Sequence, residues 1–233
     1  MTDERHPYPV TEALIEFALR LDPRTLPEPV VDGATACLLD WMGNAIRGSR
    51  EPLAEALWRV IAAAGGAPDA TILGRGKKTS ALWAALANGA QSHALDFDDT
   101  HVPSLIHGSA PVAPVVLALA EWRGKSGGEA LAAFVAGFEV EARIGRAIGH
   151  ALAERGWHAT GTVGTFGAVV AAGKLLGLDA SGLRQALGIA GTQAAGLEQS
   201  FGTMSKPFHP GKAALNGLLA ALLASEGFTG PAG

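Results

Sequence analysis

The most informative stretch of the chain is LDFDDTHVPSLIH, residues 95–107. It holds three carboxylates, one threonine and two histidines within thirteen positions, between flanks that are apolar and rich in alanine. Only 17% of the 233 residues are charged, against about 25% in an average soluble domain. Because the chain gathers its proton-handling side chains here, we expect this stretch to carry the chemistry and its flanks to supply the scaffold.

Apolar residues on both sides of this stretch recur at i, i+3, i+4 and i+7, the spacing of one helix face. The helices predicted from this spacing cover residues 11–21, 30–46, 53–64, 80–93, 111–122, 128–149, 160–176, 180–197 and 211–226. Only residues 70–73 resemble a strand, and there is no fixed-period repeat. Four charged side chains are predicted to be solvated and to pair along one helix: Glu139, Glu141, Arg143 and Arg146. We therefore predict an all-α helical bundle that forms one domain over residues 1–233.

The composition excludes several classes of partner and compartment. The formal net charge is −4, so the chain lacks the basic surface that holds a nucleic-acid backbone. The longest uncharged runs contain His158, threonines, glycines or prolines, so we expect no membrane-spanning helix of about 20 apolar residues. The single cysteine, Cys37, cannot form an intrachain disulfide, and Met1–Tyr8 is polar rather than signal-like. These features predict a cytoplasmic protein.

The acidic part of the stretch allows two interpretations. A helix over residues 96–100 would place Asp96 and Thr100 on one face and turn Asp98 and Asp99 elsewhere. Asp96 would then orient a histidine or hold a substrate hydroxyl, whereas the alternative is that the aspartates cap a helix end. The run contains no Asp-x-Asp-x-Asp-Gly loop and no histidine pair at metal spacing, so we predict no metal site.

Three further polar groups lie ahead of predicted helices. His107 lies in a proline-flanked loop near the carboxylates and is suited to proton transfer near neutral pH. His158 precedes the helix over 160–176, where free backbone N–H groups favour an anion. Lys206 would clamp an anionic substrate or act as a base. Each group alone also fits a structural role, but together they indicate a small polycarboxylate substrate.

Four segments resemble the MmgE/PrpD family and occur in the family's order: LGRGKKTS (73–80), NGAQSHALDFDDTH (88–101), GTFGA (164–168) and GTMSKPFHPGKAA (202–214). The family includes 2-methylcitrate dehydratase, cis-aconitate decarboxylase and iminodisuccinate epimerase. The resemblance implies proton transfer next to a carboxylate of a small di- or tricarboxylate, without a metal or organic cofactor. It also implies a large helical domain, a smaller α/β lid domain and a dimer.

The resemblance assigns a role to five residues, motif by motif. Asp96 matches the family's active-site acid, and Thr100 matches its threonine. His107 matches the first histidine and His158 the second, while Lys206 matches the lysine. His107 would be the principal general acid/base, Asp96 would orient it or the substrate, and Thr100 would hydrogen-bond a carboxylate. His158 and Lys206 would bind carboxylates and stabilise the enediolate charge that develops after proton loss.

The chain ends at Gly233, where family members continue into the lid domain. We therefore expect the lid domain to be absent from this chain and to be either lost or supplied by a separate lid-type polypeptide. The predicted function is half or one subunit of a cofactor-independent lyase, with 2-methylcitrate dehydration as the first reaction. The alternatives are cis-aconitate decarboxylation, epimerase or isomerase activity, and a non-catalytic helical dimerisation module. The expected partners are the substrate and a second copy in a homodimer.

Overall fold

Ten α-helices account for most of residues 10–231, which are the residues that the computed structural model describes. In chain order they are α1 (Val10–Arg20), α2 (Glu28–Gly48), α3 (Pro52–Ala64), α4 (Ala81–Ser92), α5 (Ser109–Arg123), α6 (Gly127–Ile148), α7 (Ala151–Glu154), α8 (Ala159–Leu176), α9 (Ala180–Gly191) and α10 (Ser205–Ser225). Two short strands, β1 (Ala70–Ile72) and β2 (Lys77–Thr79), form an antiparallel hairpin between α3 and α4. The predicted all-α class is confirmed, while the polar segment Met1–Tyr8 lies outside the described residues.

The sequence pattern did not predict the short helix α7, and the clearest other differences from the predicted boundaries are at α10, α9 and β2. α10 begins at Ser205 rather than at residue 211, because Pro207 fits the first turn of a helix, where its missing N–H group needs no partner. Lys206 therefore lies inside the first turn of α10. α9 ends at Gly191 instead of continuing to residue 197. The pattern also missed β2, a short polar segment that pairs with β1.

α8 is the central helix of the fold, and it packs against α5, α6, α9 and α10. Its sequence is rich in glycine and alanine, so these neighbours approach its backbone closely. Among the described residues, α8 is also the helix long and apolar enough to cross a membrane, but 78% of it is buried inside the fold. This burial is the pattern of a core helix.

The crossing of α4 and α10 brings together the C-terminal end of α4 and the N-terminal end of α10, which both carry polar side chains. The helices meet at Gly89 and Gly211, where a Cβ atom on Gly89 would lie 2.8 Å from the Cα atom of Gly211. No side chain fits between the two backbones at this point. As a result, His93 at the C-terminal end of α4 lies close to Lys206 in the first turn of α10.

Glu141 contradicts the predicted set of solvated charges on α6. Glu139 accepts a hydrogen bond from Arg143 Nε at 2.9 Å on the surface, as predicted. The Glu141 side chain, in contrast, is fully buried, and neither carboxyl oxygen has a hydrogen-bond partner within residues 10–231. Two positions along an α-helix correspond to a turn of about 200°, so Glu139 and Glu141 cannot share one face.

The carboxyl group of Glu141 occupies space that glycines leave on α8. A Cβ atom on Gly167 would lie 2.8 Å from Glu141 Cδ, and one on Gly164 would lie 3.6 Å from Glu141 Oε2. Burial raises the pKa of Glu141 well above its ordinary value of 4.5, and the charge of Asp99 raises it further. Glu141 is therefore a core side chain that the fold favours in its neutral form.

We expect Glu141→Gln to remove a pH-dependent loss of stability. Because the folded-state pKa lies above the unfolded value of 4.5, Glu141 takes up a proton on folding. The free energy of unfolding of the wild type then falls as the pH rises through the folded-state pKa, by up to about 1.4 kcal/mol per pH unit. Urea unfolding between about pH 5 and pH 8 should show that the variant gains stability relative to wild type as the pH rises.

Glu139→Gln, on the exposed face of the same helix, is the matched control. It loses only a surface ion pair and should change stability by less than about 1 kcal/mol at every pH. A stability difference between Glu141→Gln and wild type that does not vary with pH would contradict the expected proton uptake.

Candidate active site

Polar side chains from four parts of the chain meet where α4 ends and where α8 and α10 begin. α4 contributes His93, the N-cap position of α8 contributes His158, and α10 contributes Lys206. The loop over residues 95–107 contributes the aspartates, Thr100 and His107. A pocket of about 310 Å³ opens here, and its lining includes His93, Asp96 and Lys206. The stretch that stands out in the sequence thus lines a concave site.

Asp98 is the buried acid of this cluster, and it binds two imidazole rings. Its side chain is 0% exposed, and both carboxylate oxygens lie 2.9 Å from Nδ1 of His93. Nδ1 of His107 lies 3.4 Å from Asp98 Oδ2 and 3.1 Å from the backbone carbonyl oxygen of Asp98. Burial alone would raise the pKa of Asp98, but hydrogen bonds and charges from both histidines outweigh it and hold the pKa well below 3.8. Asp98 is therefore ionised.

The backbone at Asp96 rules out the interpretation in which residues 96–100 form a helix. α4 ends at Ser92, and Asp96 has a φ of +58°, in the left-handed region that an α-helix does not use. Side chains in this loop do not follow helical spacing, so Asp98 points into the cluster. Asp99 accepts hydrogen bonds from Ser109, from the backbone N–H at 3.2 Å and from Oγ at 2.9 Å.

His93 and Asp98 are the members of the cluster to which the sequence pattern assigned no role. His93 is the only titratable side chain on the apolar helix pattern over residues 80–93, and Asp98 follows it five positions later. That spacing matches neither a helix face nor a strand face, so periodicity could not pair them. A lone histidine on a helix otherwise made of apolar and small uncharged residues was the available signal.

His107 lies where the sequence analysis expected a proton-transfer group. Its Nδ1 lies 3.4 Å from Thr100 Oγ1, and its backbone N–H donates to Thr160 Oγ1 at 3.1 Å. Burial disfavours the charged ring, but the hydrogen bond and charge of Asp98 outweigh burial and raise the pKa of His107 above 6.5. His107 therefore holds a proton more readily near neutral pH than an isolated histidine does.

Asp96 and Lys206, far apart in sequence, form the ion pair at the mouth of the pocket. Lys206 Nζ donates to Asp96 Oδ1 at 2.5 Å, and two imidazole nitrogens approach the same oxygen. His93 Nε2 lies 3.6 Å from Asp96 Oδ1, and His107 Nε2 lies 3.7 Å from it. Burial would raise the pKa of Asp96, but the hydrogen bond from Lys206 and the nearby positive charges lower it. The structure thus brings together four of the five predicted residues: Asp96, Thr100, His107 and Lys206.

His158, the fifth predicted residue, borders the cluster through His93. The two rings are stacked with centroids 5.8 Å apart, and His158 Nδ1 lies 3.0 Å from Nδ1 of His209. Burial, together with the positive charge of nearby groups, lowers the pKa of His158 to about 3. Within residues 10–231, no hydrogen bond or ion pair joins His158 to Asp96. His158 is therefore neutral near neutral pH and can bind an anion only as an N–H donor.

Four groups of the cluster have the geometry of a possible cation site. Ligand atoms of His93, Asp96, Asp98 and His107 all lie within 4.8 Å of one another, a set that sequence spacing did not reveal. The ammonium group of Lys206, however, already neutralises Asp96 and occupies the position next to it. A bound cation would be repelled by this ammonium group, so the residues fit an acid–base site better than a metal centre.

Comparison with known proteins identifies the family. The family model described as the MmgE/PrpD N-terminal domain matches residues 12–233. The chain belongs to the MmgE/PrpD family. Among curated relatives it is 36% identical over 226 residues to cis-aconitate decarboxylase of Aspergillus terreus, with 94% of this chain and 46% of the relative covered.

Other relatives of this MmgE/PrpD chain carry related names. It is 34% identical to the cis-aconitate decarboxylase-like protein oryM of Aspergillus oryzae, over 99% of this chain and 50% of that protein. It is 40% identical to cis-aconitate decarboxylase of Homo sapiens over 154 residues, which cover 64% of this chain and 32% of that protein. The chain thus spans about half the length, or less, of the curated relatives it matches.

We expect Asp98→Asn to lower the pKa of His107 in this MmgE/PrpD site. The substitution removes the charge that outweighs burial, so the pKa should fall from above 6.5 to below it, because burial then dominates. NMR titration of the histidine ring protons measures the change. Asp32→Asn, an exposed aspartate of α2, removes the same charge elsewhere and should leave His107 unaffected. An unchanged His107 titration in Asp98→Asn would contradict this account of the site.

Proposed function

We propose that the chain is the proton-transfer half of a cofactor-independent lyase that acts on a small di- or tricarboxylate. The observation that carries the proposal is that His107 and Lys206 both approach one carboxylate oxygen of Asp96, which lines the pocket, with Asp98 buried behind His107. A histidine of raised pKa beside an ammonium group is suited to transferring a proton next to a bound carboxylate. Membership of the MmgE/PrpD family and the names of the relatives support the same class of reaction.

In the proposed reaction, each residue has a defined task. Lys206 binds a substrate carboxylate and stabilises the negative charge that develops on it, and the N–H group of His158 adds a neutral donor. Thr100 hydrogen-bonds a carboxylate, and Asp96 orients His107 or the substrate. His107 carries the transferred proton on Nε2, the ring nitrogen that faces Asp96.

Decarboxylation of cis-aconitate is the reaction that the observations favour. In this reaction, the bond from the carbon skeleton to one carboxylate breaks, carbon dioxide leaves, and the remaining electron pair takes a proton. The raised pKa of His107 supplies that proton near neutral pH, and the relatives named above are cis-aconitate decarboxylases or resemble them. Dehydration of 2-methylcitrate, the first reaction expected from sequence, stays a prediction. It needs the opposite proton transfer, in which His107 takes a proton from the carbon next to a carboxylate and the hydroxyl group leaves with a proton as water.

A non-catalytic helical dimerisation module is the second candidate. α2 exposes an apolar stripe, with Leu39 at 73%, Met42 at 38% and Ile46 at 47% exposure, and Val60 of α3 is 62% exposed. Such a stripe suits a partner surface, and we propose a homodimer in which a second copy covers it.

The relatives are about twice as long as the matched part, so we also propose that a lid-type polypeptide completes the site.

We expect His107→Ala to lower turnover by about 10²–10⁴-fold, because the variant lacks the group that transfers the proton. Proton NMR in D₂O with cis-aconitate, 2-methylcitrate, citrate and iminodisuccinate identifies the product and measures its rate. Each substrate is tested with the chain alone and together with a lid-type chain. His150→Ala, at an exposed histidine outside the pocket, is the control and should retain wild-type turnover.

Near wild-type turnover by His107→Ala would contradict the assigned role of His107. No turnover or deuterium exchange by the wild type, with or without a lid-type chain, would favour the dimerisation module.

A further inference from the structure

His93 lies at the centre of the histidine cluster, yet the proposed reaction assigns it no task. Its side chain is 0% exposed. Its ring centroid lies 4.6 Å from that of His107, edge to face, and 5.8 Å from that of His158. The ring of His93 therefore lies next to both His107, the proposed proton-transfer group, and His158, the proposed anion-binding group.

The hydrogen bond to Asp98 determines which nitrogen of His93 carries the proton. An ionised carboxylate only accepts hydrogen bonds, so Nδ1 of His93 is the donor to Asp98. In the neutral ring, Nε2 then carries the free lone pair. Nε2 is buried and has no hydrogen-bond partner among the described residues, although an unpaired buried polar atom costs free energy. The hydrogen bond to Asp98 thus leaves the second nitrogen of His93 free to accept a proton.

The carboxylates of Asp98 and Asp96 each lie close to both His93 and His107, on opposite sides of the two rings. Asp98 lies on the Nδ1 side of both rings, at 2.9 Å from His93 and at 3.4 Å from His107. Asp96 lies on the Nε2 side of both rings, with its Oδ1 atom at 3.6 Å from His93 and at 3.7 Å from His107. The Asp96 side chain is 56% exposed and belongs to a loop, so a shift of roughly 0.7 Å towards either ring reaches hydrogen-bond distance.

We propose that His93 is the proton reserve of this site, a positioning residue that exchanges one proton with His107 through the carboxylate of Asp96. The two rings share one extra proton. When that proton lies on Nε2 of His93, it passes to Asp96 and from there to Nε2 of His107, which gives it to the substrate. A proton from solution then replaces it through the exposed carboxylate of Asp96. In the opposite direction, a proton that His107 takes from a substrate moves to His93. One proton moves in each case, and Asp98 stabilises whichever ring is charged. This inference rests on the proposed lyase function.

The direct test is His93→Asn, because the asparagine amide can still donate to Asp98 but has no second ring nitrogen. We expect KM to change by less than about threefold and kcat to fall by about tenfold or more, since proton return to His107 becomes slow. Added imidazole buffer should restore kcat of this variant in a saturable way by supplying the proton from solution. The wild type should show no such buffer dependence.

His150→Asn is the matched control and should behave as wild type in every measurement. A kcat for His93→Asn within about twofold of wild type would overturn the inference, and so would a loss of kcat that imidazole does not restore. Failure of the proposed function has a different signature, because the wild type itself would then turn over no substrate.

If His93→Asn does not fold or if no substrate is turned over, a measurement on the wild-type chain tests the proposed role of His93. Long-range ¹H–¹⁵N NMR of the histidine rings identifies the protonated nitrogen of His93. A proton on Nδ1 supports the reserve, because Nε2 can then take up and release the shared proton, whereas a neutral ring protonated only on Nε2 overturns it.

Discussion

The site depends on one constraint, which is that the carboxylate of Asp98 is buried without contact with water. A buried charge is stable only where hydrogen bonds and opposite charge replace its hydration. His93 and His107 supply them from two different segments, so Asp98 joins the end of α4 to the loop that leads into α5. The same interaction places the two Nε2 atoms on the side of Asp96 and the pocket. Orientation of the reactive groups is thus a consequence of satisfying one buried charge.

Two buried acids in this chain have pKa values shifted in opposite directions. Asp98 stays ionised because two imidazoles bind it, and its pKa falls. Glu141 has no partner within the described part of the chain, so burial raises its pKa and favours the neutral acid. The difference is one of surroundings, since α8 presents glycines to Glu141 and the cluster presents ring nitrogens to Asp98. The first acid organises a reactive site, and the second is part of the core.

Helical periodicity could be read from the sequence because it depends on residues a few positions apart. It predicted the all-α class and the approximate place of nearly every helix, and motif resemblance identified the family. Periodicity failed where the backbone leaves the helix, as at Asp96, whose left-handed conformation redirects Asp98. It also failed for Glu141, whose burial depends on glycines of α8 that are distant in sequence. The pairing of Lys206 with Asp96 required the helix crossing at Gly89 and Gly211, which no local pattern contains.

The central claim is that Asp98 is ionised inside the protein and holds both imidazoles. The most direct measurement is ¹³C NMR of protein labelled at the aspartate side-chain carboxyls, titrated from neutral pH down to the onset of acid unfolding. The account predicts that the Asp98 signal remains that of a carboxylate below pH 3.8, the ordinary pKa of an aspartate side chain. An Asp98 signal that titrates at or above pH 3.8, or that is already protonated at neutral pH, would contradict it.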